Sequence, residues 1–203
     1  MEQDRKRLFI DRKTSSRQRI ENIKWAASNG YDAVVFSLGE KLNANSKCIK
    51  LAKRYELEIE AGGCDLSLLL LRRLFFFHRD LFRMEQGKRK LTHHFCPTNP
   101  KTIAIIAERA GYLLARSMPL VTVPRIFHLL PDKGHENSWC ACPACRAFSL
   151  EEQNIIAVNT AADVLARLDP DAKISFYDYE TEPEVKGVAP RKNVFRLKKI
   201  KRN

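Results

Sequence analysis

Ala33-Val34-Val35-Phe36-Ser37-Leu38 is the stretch on which the fold turns. It is short, nearly all apolar and β-branched at its centre, with no polar alternation. That pattern predicts a strand covered on both faces, as in a parallel sheet. Upstream, Thr14-Ser15-Ser16 offers helix N-caps, Ile20, Ile23 and Ala27 follow at helical spacing, and Asn29-Gly30 is a stop. Before that helix, Leu8-Phe9-Ile10-Asp11 reads as another strand. Downstream, a helix from about Asn45 carries Cys48, Leu51, Ala52 and Tyr55 on one face, and a strand runs from Leu57 to Ala61 up to Gly62-Gly63. Strand, helix, strand, helix, strand with short connections implies parallel strands joined by helical crossovers.

The rhythm breaks from Cys64 to Pro100, a long excursion with Leu-rich and Phe-rich runs and a turn at Gly87, read as a hairpin. The triple Phe75-Phe76-Phe77 is expected in the core. Order returns with Asn99 as a cap and Pro100 at the first helical position, followed by the stripe Ile103, Ile106, Ala107, Ala110, Leu113, Leu114. Arg125 to Leu130 is a strand, Pro131 to Phe148 a loop, and Ser149-Leu150-Glu151-Glu152 a capping box opening the next helix. Lys173 to Asp178 is a fifth strand and Val194 to Leu197 a weaker sixth. A closed (β/α) barrel takes eight strands and typically about 250 residues. The expectation is therefore α/β, a partial or truncated TIM-type barrel of five to six units, with an open doubly wound sheet as the alternative. Residues 1–197 would form the barrel domain and 198–203 a basic tail. An incomplete barrel would leave a strand edge that favours a homo-oligomer.

The chain has 203 residues, 44% of them hydrophobic, and a net charge of +12. The excess lies in residues 1–19 and 186–203, leaving 20–185 neutral, so it is expected as solvated ends rather than a nucleic-acid-binding face. No apolar run is long enough to cross a membrane; Leu66 to Phe77 is broken by Arg72 and Arg73. The first residues lack a signal peptide's apolar centre, which predicts a cytoplasmic protein.

In parallel α/β folds, reactive groups gather where strands lead into helices. Those positions hold Asp11; Glu40; Cys64 and Asp65; Asp132, His135 and Glu136; and Asp178, Glu180 and Glu182. Paired carboxylates across a cleft suit glycoside hydrolysis, one protonating the leaving oxygen and the other attacking, orienting water or steadying a substrate group. Glu136, Asp132 and Asp178 are the candidate catalytic groups. His135, Trp139, His94, Asn99 and Glu180 are candidates for holding a carbohydrate. For Asn99 capping explains the residue equally well, and a lone Trp139 is more often packing. No phosphate loop, Gly-x-Gly-x-x-Gly pattern or nucleophile elbow is present, so no organic cofactor is implied.

Cys140, Cys142 and Cys145 crowd into one loop, and that spacing can gather thiolates around a structural zinc. His135, His93, His94 or Cys96 would supply a fourth ligand. Reduced thiols packed under the loop, or one local crosslink, are the alternatives.

Three segments carry a resemblance: Ser15 to Ala26 with Tyr31 to Gly39; Phe95-Cys96-Pro97-Thr98-Asn99-Pro100; and Trp139-Cys140-x-Cys142-x-x-Cys145-Arg146-Ala147, with Asn159 and Pro170-Asp171-Ala172 beyond it. Together they resemble the bacterial domain-of-unknown-function family 4838, a barrel distantly similar to family 20 glycoside hydrolases. The resemblance spans about Leu8 to Leu197. It implies a sugar-processing or sugar-binding barrel, with Glu136 as acid and Asp132 its partner. Family 20 enzymes place an adjacent Asp-Glu pair after the fourth strand. Here the corresponding loop reads Pro131-Asp132-Lys133-Gly134-His135-Glu136, with the carboxylates apart. A non-catalytic or degenerate carbohydrate-binding barrel and a zinc-stabilised interaction module are the rival expectations.

Overall fold

Each apolar run between the helices of the repeating units becomes a short strand, and each helix returns the chain to begin the next. The computed structural model describes residues 5–63, 66–132, 134–177 and 187–197. The strands are β1 (Arg7–Ile10), β2 (Ala33–Phe36), β3 (Glu58–Gly63), the hairpin pair β4 (Met84–Glu85) and β5 (Lys88–Arg89), β6 (Ile126–Leu129), β7 (Lys173–Tyr177) and β8 (Val194–Leu197). The helices are α1 (Ser16–Ser28), α2 (Lys47–Arg54), α3 (Pro100–Ser117) and α4 (Leu150–Leu168). The caps read from sequence are in place. Ser15 accepts from the Gln18 N–H, Asn99 from the Lys101 N–H, and Ser149 with Glu152 forms a reciprocal capping box.

Six strands form one sheet in the order β1-β2-β3-β6-β7-β8, every neighbouring pair parallel. The spatial order follows the chain order without reversal. A doubly wound sheet must reverse at a switch point, so the crossovers here step round a barrel instead. Register confirms it. The residues of β1, β2 and β3 that pack under α1 and α2 are Leu8, Ile10, Val34, Phe36 and Ile59. Ala61, Phe127, Leu129, Ile174 and Phe176 pack under α3 and α4 on the same side. The helices therefore cover one face, and the opposite face is a barrel interior.

That interior is polar at its centre. Arg7 Nε donates to Glu60 Oε2 at 2.7 Å, the same oxygen lies 2.6 Å from His128 Nε2, and His128 Nδ1 lies 2.7 Å from Ser175 Oγ. Arg7, Glu60, His128 and Ser175 are all buried, and together they tie β1, β3, β6 and β7 across the interior. Burial pushes the Glu60 carboxyl up, but hydrogen bonds and charge from His128 and Arg7 outweigh it and hold its pKa below the ordinary carboxylate value. Gly62 makes the approach possible. It sits at φ +129°, and a Cβ there would lie 2.0 Å from the His128 carbonyl oxygen.

The structure corrects two expectations and gives the excursion its detail. The terminal basic residues are not simply solvated: Arg7 is 2% exposed, Arg19 pairs with Glu40, Arg191 with Asp163 and Arg196 with Glu151. They neutralise acidic groups in the body of the chain. The triple phenylalanine is not core throughout: Phe75 packs against the core, whereas Phe76 and Phe77 are 73% and 82% exposed. The excursion is built from three short 3-10 turns (Leu66–Leu69, Arg72–Phe76 and Arg79–Leu81) followed by the β4–β5 hairpin. Among the described residues, no helix is long and apolar enough to cross a membrane.

Candidate functional site

Two segments meet at the end of the barrel where strands lead into helices: 91–99, which enters α3, and 131–149, which enters α4. His93 has a positive φ of 62°, so the chain turns sharply there. His93 stacks on His135 with ring centroids 3.4 Å apart, while His94 stacks on Trp139 at 4.5 Å. The His94 Nε2–H donates to the His135 carbonyl at 3.1 Å, and Phe95 meets the edge of Trp139. A short aromatic stack thus clamps the loop after β6 onto the end of the excursion.

Charge is arranged around this stack. Asp132 Oδ2 lies 3.5 Å from His93 Nδ1, both side chains being partly exposed. Arg72 donates to the carbonyls of Leu91, Ser67 and His93, fixing the segment that carries both histidines. Burial lowers the pKa of Arg72, opposed by the nearby Asp132 charge. Burial also lowers the pKa of His93, helped by His135 and opposed by Asp132. His94 is driven down to about 4, chiefly by burial, and its Nδ1 meets no acceptor among the described residues.

Of the residues singled out on sequence, Asp132, His135, His94 and Trp139 are brought together here. Glu136 is half-buried on the same loop and accepts from the Gly134 N–H at 3.1 Å. Trp139 is 4% exposed, with His94 over its face, so in this arrangement it packs rather than lies open. Asn99 caps α3 and donates to Asp80, which anchors the helix start. Asp178 and Glu180 lie outside the described residues, as do Glu182, Cys64 and Asp65. Glu40 is engaged by Arg19, and Asp11 accepts from the Lys13 N–H, so both serve the loops they end. His93 was considered on sequence as a metal ligand and lies instead in the stack, while Arg72 was not singled out as an organiser of the site. An arginine inside a Leu-rich run carries no sequence signal of its own.

The cysteines form a second feature of the same end. Cys140, Cys142 and Cys145 are joined by Cys96, all four buried and with Sγ atoms within 4.8 Å of one another. Of the fourth partners considered on sequence, the structure selects Cys96; the histidines are used in the stacks. Such a group of thiols could hold a metal ion.

No family model matches the chain, and no curated protein matches it. Solved structures do. The chain is similar to the tandem GH20 catalytic modules of the pneumococcal exo-β-D-N-acetylglucosaminidase StrH, with 14% identity over 96% of this chain and 59% of that one, at a TM-score of 0.64. A second StrH structure, from work on N-glycan recognition and hydrolysis, aligns at TM-score 0.59 with 14% identity, over 97% of this chain and 59% of that chain. The GH20 β-N-acetylhexosaminidase from Streptomyces coelicolor A3(2) aligns at TM-score 0.54 with 12% identity, over 96% of this chain and 42% of that chain. At these identities the likeness is one of fold: a glycoside-hydrolase-like, TIM-type α/β barrel. The chain spans 59% of the length of the first two structures it matches.

Proposed function

We propose that this protein is a glycoside-hydrolase-like barrel that takes a glycan at the end formed by segments 91–99 and 131–149. The observation that carries the reading is the position of the loop after β6. It follows the fourth strand of the main sheet, bears Asp132 and Glu136, and is clamped in place by the His93–His135 and His94–Trp139 stacks. Strand ends of this kind are where barrels assemble reactive groups. The fold shared with hexosaminidases supports a carbohydrate as the ligand class. The Cys-x-Cys-x-x-Cys loop supports the finer assignment to family 4838, and the five cysteines among the described residues, all buried and free, support a reducing, cytoplasmic setting.

In this reading Glu136 donates the proton to the departing glycosidic oxygen, and Asp132, oriented by His93, steadies positive charge or positions the sugar. Asp178 is the further carboxylate of the proposal. The test is a screen of aryl glycosides and glycan arrays, followed by Glu136→Gln. A glycosidase activity that falls at least about a hundredfold in the variant, with folding intact, supports the acid role. Unchanged activity removes Glu136 from that role. Specific glycan binding without turnover moves the protein to the degenerate-barrel reading, and no binding to any glycan overturns the proposal.

A further inference from the structure

Four thiols are buried together at the barrel end, and their geometry is that of a closed coordination shell. Cys96 Sγ lies 3.7 Å from Cys142 Sγ and 3.6 Å from Cys145 Sγ. A disulfide would bring sulfurs to about 2.05 Å, so these are not bonded pairs. A tetrahedral zinc with Zn–S bonds of about 2.3 Å sets its sulfurs about 3.8 Å apart. With all four Sγ within 4.8 Å of one another, the space suits one ion rather than a multi-iron cluster. All four residues are buried, from 0% to 5% exposed.

We propose that Cys96, Cys140, Cys142 and Cys145 bind one structural Zn²⁺ as thiolates, and that this ion fastens the α3 entry to the loop that leads into α4, against which the β4–β5 hairpin is hydrogen-bonded. On binding, each thiol gives up its proton and a sulfur lone pair forms the bond to zinc. Four thiolates around a dication leave two negative charges, and the surroundings answer them. The Met84 N–H points at Cys140 Sγ at 3.3 Å, Arg89 Nη1 lies 3.8 Å from the same sulfur, and Thr98 Oγ1 lies 3.1 Å from Cys145 Sγ. Donors aimed at ligating sulfurs are the usual support of such a centre. The backbone that carries the thiols is also set in advance. Gln153, on α4, accepts from the Cys140 N–H and donates to the carbonyls of Cys145 and Phe148. The Ala141 N–H donates to the Met84 carbonyl, tying the loop to the hairpin.

With four protein ligands and burial, no position is open for water or substrate, so the ion is structural rather than catalytic. Its effect on function would be indirect, because Cys96 follows the His93–His94 pair and Cys140 follows Trp139. The proposal stands apart from the glycan reading, since metal content is measured without any substrate.

The experiment uses the full chain, purified in reductant without chelator, with metals measured by elemental analysis. The expected result is about one zinc per chain. Replacing zinc with Co²⁺ should give the strong visible bands and the thiolate-to-metal charge-transfer band of a tetrahedral four-sulfur site. Cys96→Ser should lose most of the zinc or give an altered cobalt spectrum, whereas Cys48→Ala, at a buried cysteine outside the quartet, should keep both. If Cys96→Ser fails to fold, His135→Ala and His93→Ala decide the ligand set, because both should retain full zinc and an unchanged cobalt spectrum. A folded protein that takes up neither zinc nor cobalt overturns the proposal. Iron in place of zinc overturns the choice of metal, and zinc lost on replacing a histidine overturns the all-thiol ligand set.

Discussion

The interior of the barrel and its mouth each bury a cluster of polar side chains, and the two are completed in opposite ways. In the interior, Arg7, Glu60, His128 and Ser175 complete one another: a cation faces an anion, and hydrogen bonds run on from His128 to the serine. At the mouth, Cys96, Cys140, Cys142 and Cys145 are four groups of one kind, all able to carry negative charge and none able to neutralise the others. The first cluster sets opposite charges against each other, with Arg5 Nη1 a further 3.9 Å from the second Glu60 oxygen. The second asks for something from outside, which is why it points to an ion. A buried polar cluster thus signals binding only when its own chemistry leaves it incomplete.

The largest test of this contrast is Glu60→Ala. It strips a carboxylate that Arg7 and His128 both bond to, and breaking a buried charge pair by removing one member typically costs about 3–5 kcal/mol. Urea unfolding should show the loss. The wild-type protein should also weaken in acid. The folded-state pKa of Glu60 is held below its unfolded value, so its contribution is full above the ordinary carboxylate range and fades as pH falls through the lower folded value. Glu60→Gln should flatten that acid limb. An equally steep limb in the variant would mean that other carboxylates govern it. Combining Glu60→Ala with Cys145→Ser should give additive losses to within about 0.5 kcal/mol, as no residue among those described bonds to both clusters. Strong coupling would break the contrast by making them one network.

Gly62→Ala comes next. The new Cβ would meet the His128 backbone oxygen at 2.0 Å, and backbone cannot swing aside as a flexible side chain can. The variant should lose stability toward the upper end of about 1–3 kcal/mol, read by thermal or urea unfolding. Gly63→Ala is the control. It has a similar φ, but the nearest atom to its Cβ is the Phe9 side chain at 3.6 Å, so strain without the clash should cost less. Equal losses would trace the effect to φ rather than to the β3–β6 approach that carries the interior network.

These same residues show what could be read without coordinates. The apolar runs and caps gave the strand–helix order because they are local: Ser15, Asn99 and Ser149 satisfy donors within three residues of themselves. The barrel order followed from that rhythm. The interior network was invisible, because Arg7, Glu60, His128 and Ser175 are spread over most of the chain and only register brings them together. Arg7 in particular looked like one more charge near a basic end. Gly62-Gly63 read as the end of a strand, and the reason for Gly62 is a contact with a strand more than sixty residues away. The cysteine loop was legible as three ligands because their spacing is local, while the fourth, Cys96, stood as one choice among several until the excursion folded back.

The smallest effect bears on the mouth alone. Ser149→Ala removes one half of the capping box at the start of α4, a loss of about 1 kcal/mol for an ordinary cap. That first turn also carries Gln153, whose three hydrogen bonds hold the backbone of the cysteine loop. With zinc bound, the loop would be held twice, by the ion and by Gln153, and the cap should be worth no more than usual. With zinc stripped by a chelator, the loop depends on that first turn, and fraying should spread into it. Urea unfolding of Ser149→Ala and wild type, each with and without chelator, reads the difference directly. A larger penalty in the stripped protein means that the ion carries the loop when the helix start is weakened. Equal penalties in the two states would mean that protein hydrogen bonds alone hold the thiols in place, and the mouth cluster would then need no ion to keep its shape.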